Sequence, residues 1–99
     1  GLEDDAVVLR EAIEAFEAAL LERTRARRPL QWAATQCNLG AAQLRLAESG
    51  NGTGYLEAAI TAYRSALEGY EEAAAAHAIK TTRASLMAAE ARLKAISDG

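Results

Sequence analysis

Apolar residues recur along most of this chain at the spacing of an α-helix, three or four positions apart. The pattern fills four stretches, at 3–27, 30–48, 55–74 and 77–97. Each stretch has one apolar face and one polar face, which is typical of a helix that buries one side against other helices. The pattern therefore predicts an all-α domain of four helices, with antiparallel helical hairpins stacked as a short solenoid.

Two of the three expected breaks between these helices are marked by their residues. Pro29 follows the first stretch, and proline ends a helix or opens the next one. Segment 49–54 contains three glycines and an asparagine, which predicts a loop. The third break is unmarked, because 73–77 contains neither Gly nor Pro and its alanines favour an uninterrupted helix.

An internal repeat resolves this third break. When the chain is shifted by 47 positions, 13 of the 38 pairs that begin with Leu9 and end with Leu46 are identical, and most of these lie on the apolar faces. Periods of this order are typical of stacked helical repeats. Pro29 aligns with Ala76, so the fourth helix is expected to begin near Ala76, with a break between about 73 and 78.

The repeat also predicts contacts between its two copies. The first and third helices are expected to lie side by side and roughly parallel, with Arg25 near Glu68, Glu71 and Glu72. Arg25 belongs to an arginine cluster at the end of the first stretch. The C-terminal end of a helix carries a partial negative charge, which stabilises cations there. The cluster consists of Arg23, Arg25, Arg27 and Arg28.

Other pairs and contacts follow from helical spacing. Arg64 with Glu68, and Glu90 with Lys94, are four residues apart and predict ion pairs within a helix. The Leu39-Gly40 step predicts close approach of a neighbouring helix, because glycine costs about 1 kcal/mol of helix propensity that packing must offset. Trp32 is expected to fill space between helices.

Several of these residues resemble the tetratricopeptide repeat (TPR) family. The run 28–40, which includes Asn38, Leu39 and Gly40, is similar to a long-period variant found in bacterial TPR arrays. Ala59, Tyr63 and Ala66 resemble the alanine, aromatic and alanine of the family's second helix. The chain departs from the pattern in its period, which is 47 rather than the usual ~34. Gln36 and Gln43 occupy positions that are usually large and apolar, and Met87 replaces the glycine of the second copy.

The resemblance implies a TPR-like solenoid that binds a peptide or partner segment on a concave face. Carried over to this chain, the face consists of Ala34, Cys37, Asn38, Ala41, Arg45, Thr81, Ala84, Ser85, Ala88 and Arg92. Small side chains leave room there, while Asn38, Arg45 and Arg92 offer donors for a backbone carbonyl or a carboxylate. For Arg45 and Arg92 by themselves, solvated surface is the simpler interpretation.

Composition narrows the function classes. A net charge of −3 and a pI near 5.1 argue against nucleic-acid binding. One cysteine excludes an intramolecular disulfide and fits a reducing compartment, and no membrane span or secretory signal is evident. We therefore expect a cytoplasmic protein. Residues 1–99 are interpreted as a single TPR-like helical repeat domain and as a fragment of a longer array.

No catalytic, cofactor or metal site is expected. Cys37 and His77 could form a nucleophile–base pair only if the fold brought them together, and one Cys with one His leaves a four-ligand metal site incomplete. The leading hypothesis is a protein–protein interaction scaffold. The alternative is a helical oligomerisation or regulatory segment of a larger protein whose effector domain lies elsewhere. Self-association through exposed repeat ends fits either reading.

Overall fold

A computed structural model describes residues 2–50 and 53–99, with side chains from Asp5 onward. The chain is all-α and forms four helices, α1 (Leu2–Glu22), α2 (Pro29–Glu48), α3 (Thr53–Glu72) and α4 (Ala76–Asp98). Each helix packs against the next one along the chain. The helices form a flat slab of 37 × 29 × 18 Å, as expected for stacked hairpins.

The first helix ends earlier than the sequence pattern predicts, at Glu22 rather than near 27. Residues 24–28 form a separate turn in which Arg28 N donates to Thr24 O at 3.0 Å. Arg28 precedes Pro29 and has φ −142° and ψ 70°, because proline disfavours the helical conformation in the preceding residue. The arginine cluster therefore lies in the connection rather than in the last turn of α1, and the predicted helix-terminus role is wrong.

The unmarked break between α3 and α4 is confirmed, between Glu72 and Ala76. The end of α3 is a Schellman motif: Ala75 N donates to Tyr70 O at 3.0 Å, and Ala74 N donates to Glu71 O at 3.1 Å. Ala74 adopts the left-handed conformation with φ 54°, a place usually taken by glycine. Ala75 packs beside Tyr70, which is the apolar contact that accompanies this motif. Helix ending here depends on packing and not on a helix-breaking residue.

Replacing Ala74 with glycine is therefore expected to stabilise the protein. An L side chain in the left-handed region costs about 1 kcal/mol, which Ala74→Gly removes. Ala73→Gly is the control, because the φ of Ala73 is not positive and the change only adds freedom to the unfolded chain. Urea unfolding would measure both. Equal destabilisation by the two variants would contradict the strain at Ala74.

The third helix is the centre of the core. One buried cluster joins α3 to α2 and α4 and contains Leu56, Ala59, Ile60, Tyr63, Leu86 and Ala89. A second joins α3 to α1 and α2, and contains Ile13, Leu39, Ala42, Leu46 and Ala62. The aligned residues Leu39 and Leu86 thus pack on opposite parts of α3, in agreement with the repeat.

Two glycines let α2 approach α3 closely. A Cβ on Gly40 would lie 3.2 Å from the ring of Tyr63 and 3.3 Å from Ala59 O, so the predicted close approach is confirmed. A Cβ on Gly69 would lie only 2.8 Å from Cβ of Ala33 and 3.1 Å from the ring of Trp32. Trp32 fills this end of the α2–α3 contact, as expected. The role of Gly69 was not evident from the sequence.

Arg25 reaches the acidic end of α3, as the repeat predicts. Its guanidinium pairs with Glu68 at 3.0 Å and with Glu72, and it lies 5.5 Å from the ring centroid of Trp32. The hydrogen bond to Glu72 is the main cause that raises the pKa of Arg25 above its usual value. The predicted pair between Arg64 and Glu68 is replaced, because Arg64 binds Glu90 on α4 at 2.7 Å. Arg64 thus joins α3 to α4, and Arg25 joins the α1–α2 connection to α3.

Removing Arg25 is expected to lower stability slightly, and more at low salt than at high salt. The three side chains are partly exposed, so salt screens their attraction. Arg25→Gln would be compared with Arg27→Gln, an exposed neighbour, by urea unfolding at two salt concentrations. Trp32 fluorescence reports the loss of the stacked guanidinium. A salt response identical in both variants would mean that the attraction of Arg25 to Glu68 and Glu72 does not contribute to stability.

Candidate functional site

The predicted partner-binding face lies on the sides of α2 and α4 that core packing leaves open. Seven of its ten residues are exposed, namely Asn38, Ala41, Arg45, Thr81, Ala84, Ala88 and Arg92. The other three are half-buried at its edge, namely Ala34, Cys37 and Ser85. The α2/α4 face, defined by these ten residues, is therefore accessible to a partner.

The two helices meet along this face at Cys37. Its Sγ lies 3.9 Å from Oγ1 of Thr82, which is almost completely buried beside it. Cys37 also packs against the core cluster that contains Tyr63. The thiol therefore occupies the seam between α2 and α4, where a small apolar side chain is needed.

Not every polar residue of the α2/α4 face is available to a ligand. Thr81 Oγ1 donates to Ala78 O at 3.2 Å, and Ser85 Oγ donates to Thr81 O at 3.3 Å. Arg45 and Arg92, which are equivalent in the repeat, form no ion pair with another described residue. The two arginines are thus the strongest polar groups that the face offers.

Two tyrosines behind the face have altered acidity. Burial raises the pKa of Tyr63 and of Tyr70, and nearby Cys37 adds a smaller upward contribution in each case. Both side chains belong to buried clusters between α2 and α3. They act as core residues that remain neutral at physiological pH.

Two surface cavities lie away from the α2/α4 face. One, of about 500 Å³, lies between α1 and α3 with Gln43 of α2 in its lining. The other, of about 440 Å³, lies between α3 and α4. The sequence pattern assigned neither, although Gln43 had been noted as a polar residue at a position that is usually apolar. A polar residue at that position was the one sign in the sequence that pointed to the first cavity.

Cys37 and His77 are the two residues that could supply nucleophile–base chemistry. His77 is exposed at the start of α4, while Cys37 lies in the α2–α4 seam. Among residues 2–50 and 53–99, no three His, Cys, Asp or Glu residues are grouped so that they could hold a metal ion. None of the described helices combines the length and the apolar character that crossing a membrane requires.

Comparison with protein-family models, with curated proteins and with solved structures finds no match for this chain.

Proposed function

We propose that this chain is a TPR-like protein–protein interaction scaffold that binds a peptide or partner segment on the α2/α4 face. The observation that carries the proposal is the exposure of seven of the ten face residues on helices whose opposite sides form the core. A side of a helix that packing does not use is free to bind. Equivalent residues of the two copies contribute to the same face, as in repeat proteins that bind extended partners.

The charges of the face favour one kind of partner. Arg45 and Arg92 present guanidinium groups that form no ion pair with the described residues, and Asn38 adds an amide that can bind a peptide backbone. Ala41, Ala84 and Ala88 leave space between them. A segment with a carboxylate, from an acidic side chain or a chain terminus, fits this arrangement best.

The test is a pull-down with the chain as bait, in which mass spectrometry identifies the captured protein. Asn38→Glu combined with Arg45→Glu reverses the polarity of the face, and we expect it to lose a partner that the original chain retains. Arg83→Glu is the control, because Arg83 is exposed on nearly the opposite side of α4 from Ser85. Circular dichroism checks that each variant is folded. Equal recovery with both variants would remove the assignment of this face.

A second candidate function is oligomerisation or regulation within a larger protein. Large apolar side chains are exposed on the two outer helices, with Val8 and Leu21 on α1 at 63% and 85%, and Met87 and Ile96 on α4 at 63% and 50%. Such side chains can bury against another copy. Light scattering after size exclusion would show a stable dimer if the chain is an oligomerisation segment, and a monomer if it is a scaffold for another protein.

A further inference from the structure

The cavity between α1 and α3 is lined by a buried polar residue, Gln43. Gln43 is 8% exposed, and its Oε1 has no hydrogen-bond partner among the described residues. Buried acceptors almost always have a donor, so an orphan of this kind needs an explanation. Gln43 also lines the cavity, although its Oε1 is closed off from solvent in the free protein. A molecule bound in the cavity therefore supplies the donor once the Gln43 amide turns toward it.

The second cavity shows which donor the first one lacks. The two cavities are equivalent in the repeat, because Ile13, Glu17 and Gln43 of the first align with Ile60, Arg64 and Glu90 of the second. In the second cavity the guanidinium of Arg64 donates to Glu90 at 2.7 Å. In the first cavity Gln43 takes the place of the acceptor Glu90, but Glu17, a carboxylate, takes the place of the donor Arg64.

From this comparison we propose that the α1/α3 cavity binds the guanidinium of an arginine side chain supplied by a partner protein. The guanidinium would take the place that Arg64 occupies in the equivalent cavity, donating to Gln43 Oε1 and to the carboxylate of Glu17. Glu14, one turn before Glu17 on the same helix, adds a second negative charge to the lining. A planar group with several N–H donors can serve an amide oxygen and a carboxylate at once.

The walls suit the apolar part of such a side chain. Ile13 and Tyr55 line the cavity, and an arginine stem packs well along aliphatic and aromatic surfaces. The volume of about 500 Å³ is within the range of small-ligand sites. Among the lining residues that the structure describes, Arg10 is the one cation, so with the two glutamates their net charge is −1.

This site is separate from the α2/α4 face. Gln43 projects from α2 roughly half a turn away from Ala41 and Arg45. The two surfaces can therefore be tested independently, and loss of one leaves the other intact.

The experiment is an NMR titration of the 15N-labelled chain with N-acetyl-arginine methylamide. Saturable shifts are expected at the Gln43 side-chain amide and at Tyr55. The matched probe is N-acetyl-citrulline methylamide, which has the same shape without the charge and should bind at least ~10-fold more weakly, as expected for loss of a charge-assisted hydrogen bond. Equal binding of the two probes, or shifts scattered over the surface, would overturn the proposal.

Variants localise the site. Gln43→Leu keeps the volume and removes the acceptor, and Glu17→Gln removes the carboxylate. Each should weaken arginine-probe binding about 10-fold. Glu90→Gln in the equivalent cavity is the control and should leave binding unchanged. Unchanged affinity in both Gln43→Leu and Glu17→Gln would contradict the assignment.

Glu17→Arg gives a further test, in which one of the two readouts, the unfolding midpoint, needs no added ligand. Its guanidinium should occupy the cavity as Arg64 does in the second copy, which would abolish probe binding and raise the unfolding midpoint. If Gln43 instead holds only a trapped water, a slowly exchanging water contact to its amide persists through the titration with the arginine probe. That result would overturn the proposal.

Discussion

Leu56→Ala is expected to destabilise this protein by about 3 kcal/mol, within the range for a fully buried leucine. Leu56 is 1% exposed and lies in the cluster that α3 forms with α2 and α4. Truncation leaves a cavity that these three helices cannot fill without shifting toward one another. The loss is a large fraction of the stability of a domain of this size.

The residue that aligns with Leu56 in the other copy of the repeat provides the matched control. Leu9 aligns with Leu56 but is only half-buried, because α1 packs at the edge of the slab. Leu9→Ala is therefore expected to cost about 1 kcal/mol. Urea unfolding of both variants, followed by circular dichroism, measures the difference. Equal losses would mean that α3 is no more enclosed than α1, contrary to the arrangement described.

Gly69→Ala is expected to destabilise the protein by about 1 to 2 kcal/mol, even though alanine is the better helix former. The new Cβ would lie 2.8 Å from Cβ of Ala33, which is fully buried and attached directly to the backbone of α2. Relief therefore requires α2 and α3 to separate, and overpacking of this kind costs about 1–3 kcal/mol. The gain of about 1 kcal/mol in helix propensity offsets only part of this cost, because a Cβ–Cβ distance of 2.8 Å places the cost in the upper part of that range.

Gly54→Ala tests the same substitution without the contact. Gly54 lies in the first turn of α3, and a Cβ there would meet no atom within 4 Å. We expect Gly54→Ala to raise the free energy of unfolding by up to about 1 kcal/mol, because alanine reduces the backbone freedom of the unfolded chain. Thermal unfolding of the two variants should shift in opposite directions. A gain for both would mean that the contact between Gly69 and Ala33 is looser than the structure shows.

The repeat in the sequence determined more of the fold than any local signal. Helical periodicity located all four helices, and the alignment of Pro29 with Ala76 placed the starts of α2 and α4 at those two residues. It also anticipated the contact of Arg25 with Glu68 and Glu72. These inferences succeeded because a repeated apolar pattern specifies both a helix and the neighbour against which it packs.

Local charge spacing was a poorer guide. Arg64 and Glu68 are four residues apart, yet the structure pairs them with Glu90 and Arg25 on other segments. An exposed pair within a helix is worth only about 0.3–0.5 kcal/mol, so small differences in tertiary position decide which partner a long side chain meets. The early end of α1 places Arg25 in the turn before Pro29, from which its side chain reaches α3.

The sequence by itself determined the helical class, the number of helices and the repeat offset, because apolar periodicity is a property of consecutive residues. Only the tertiary structure decided that Gly69 faces Ala33, that α3 ends in a left-handed alanine, and that the buried Gln43 Oε1 has no donor in the part of the chain that the structure describes. The first and third of these depend on distances between residues far apart in the chain, and the second on a turn that the alanine-rich sequence does not mark. A helical pattern shows which side of a helix is buried, but not which atoms of the neighbouring helix lie there.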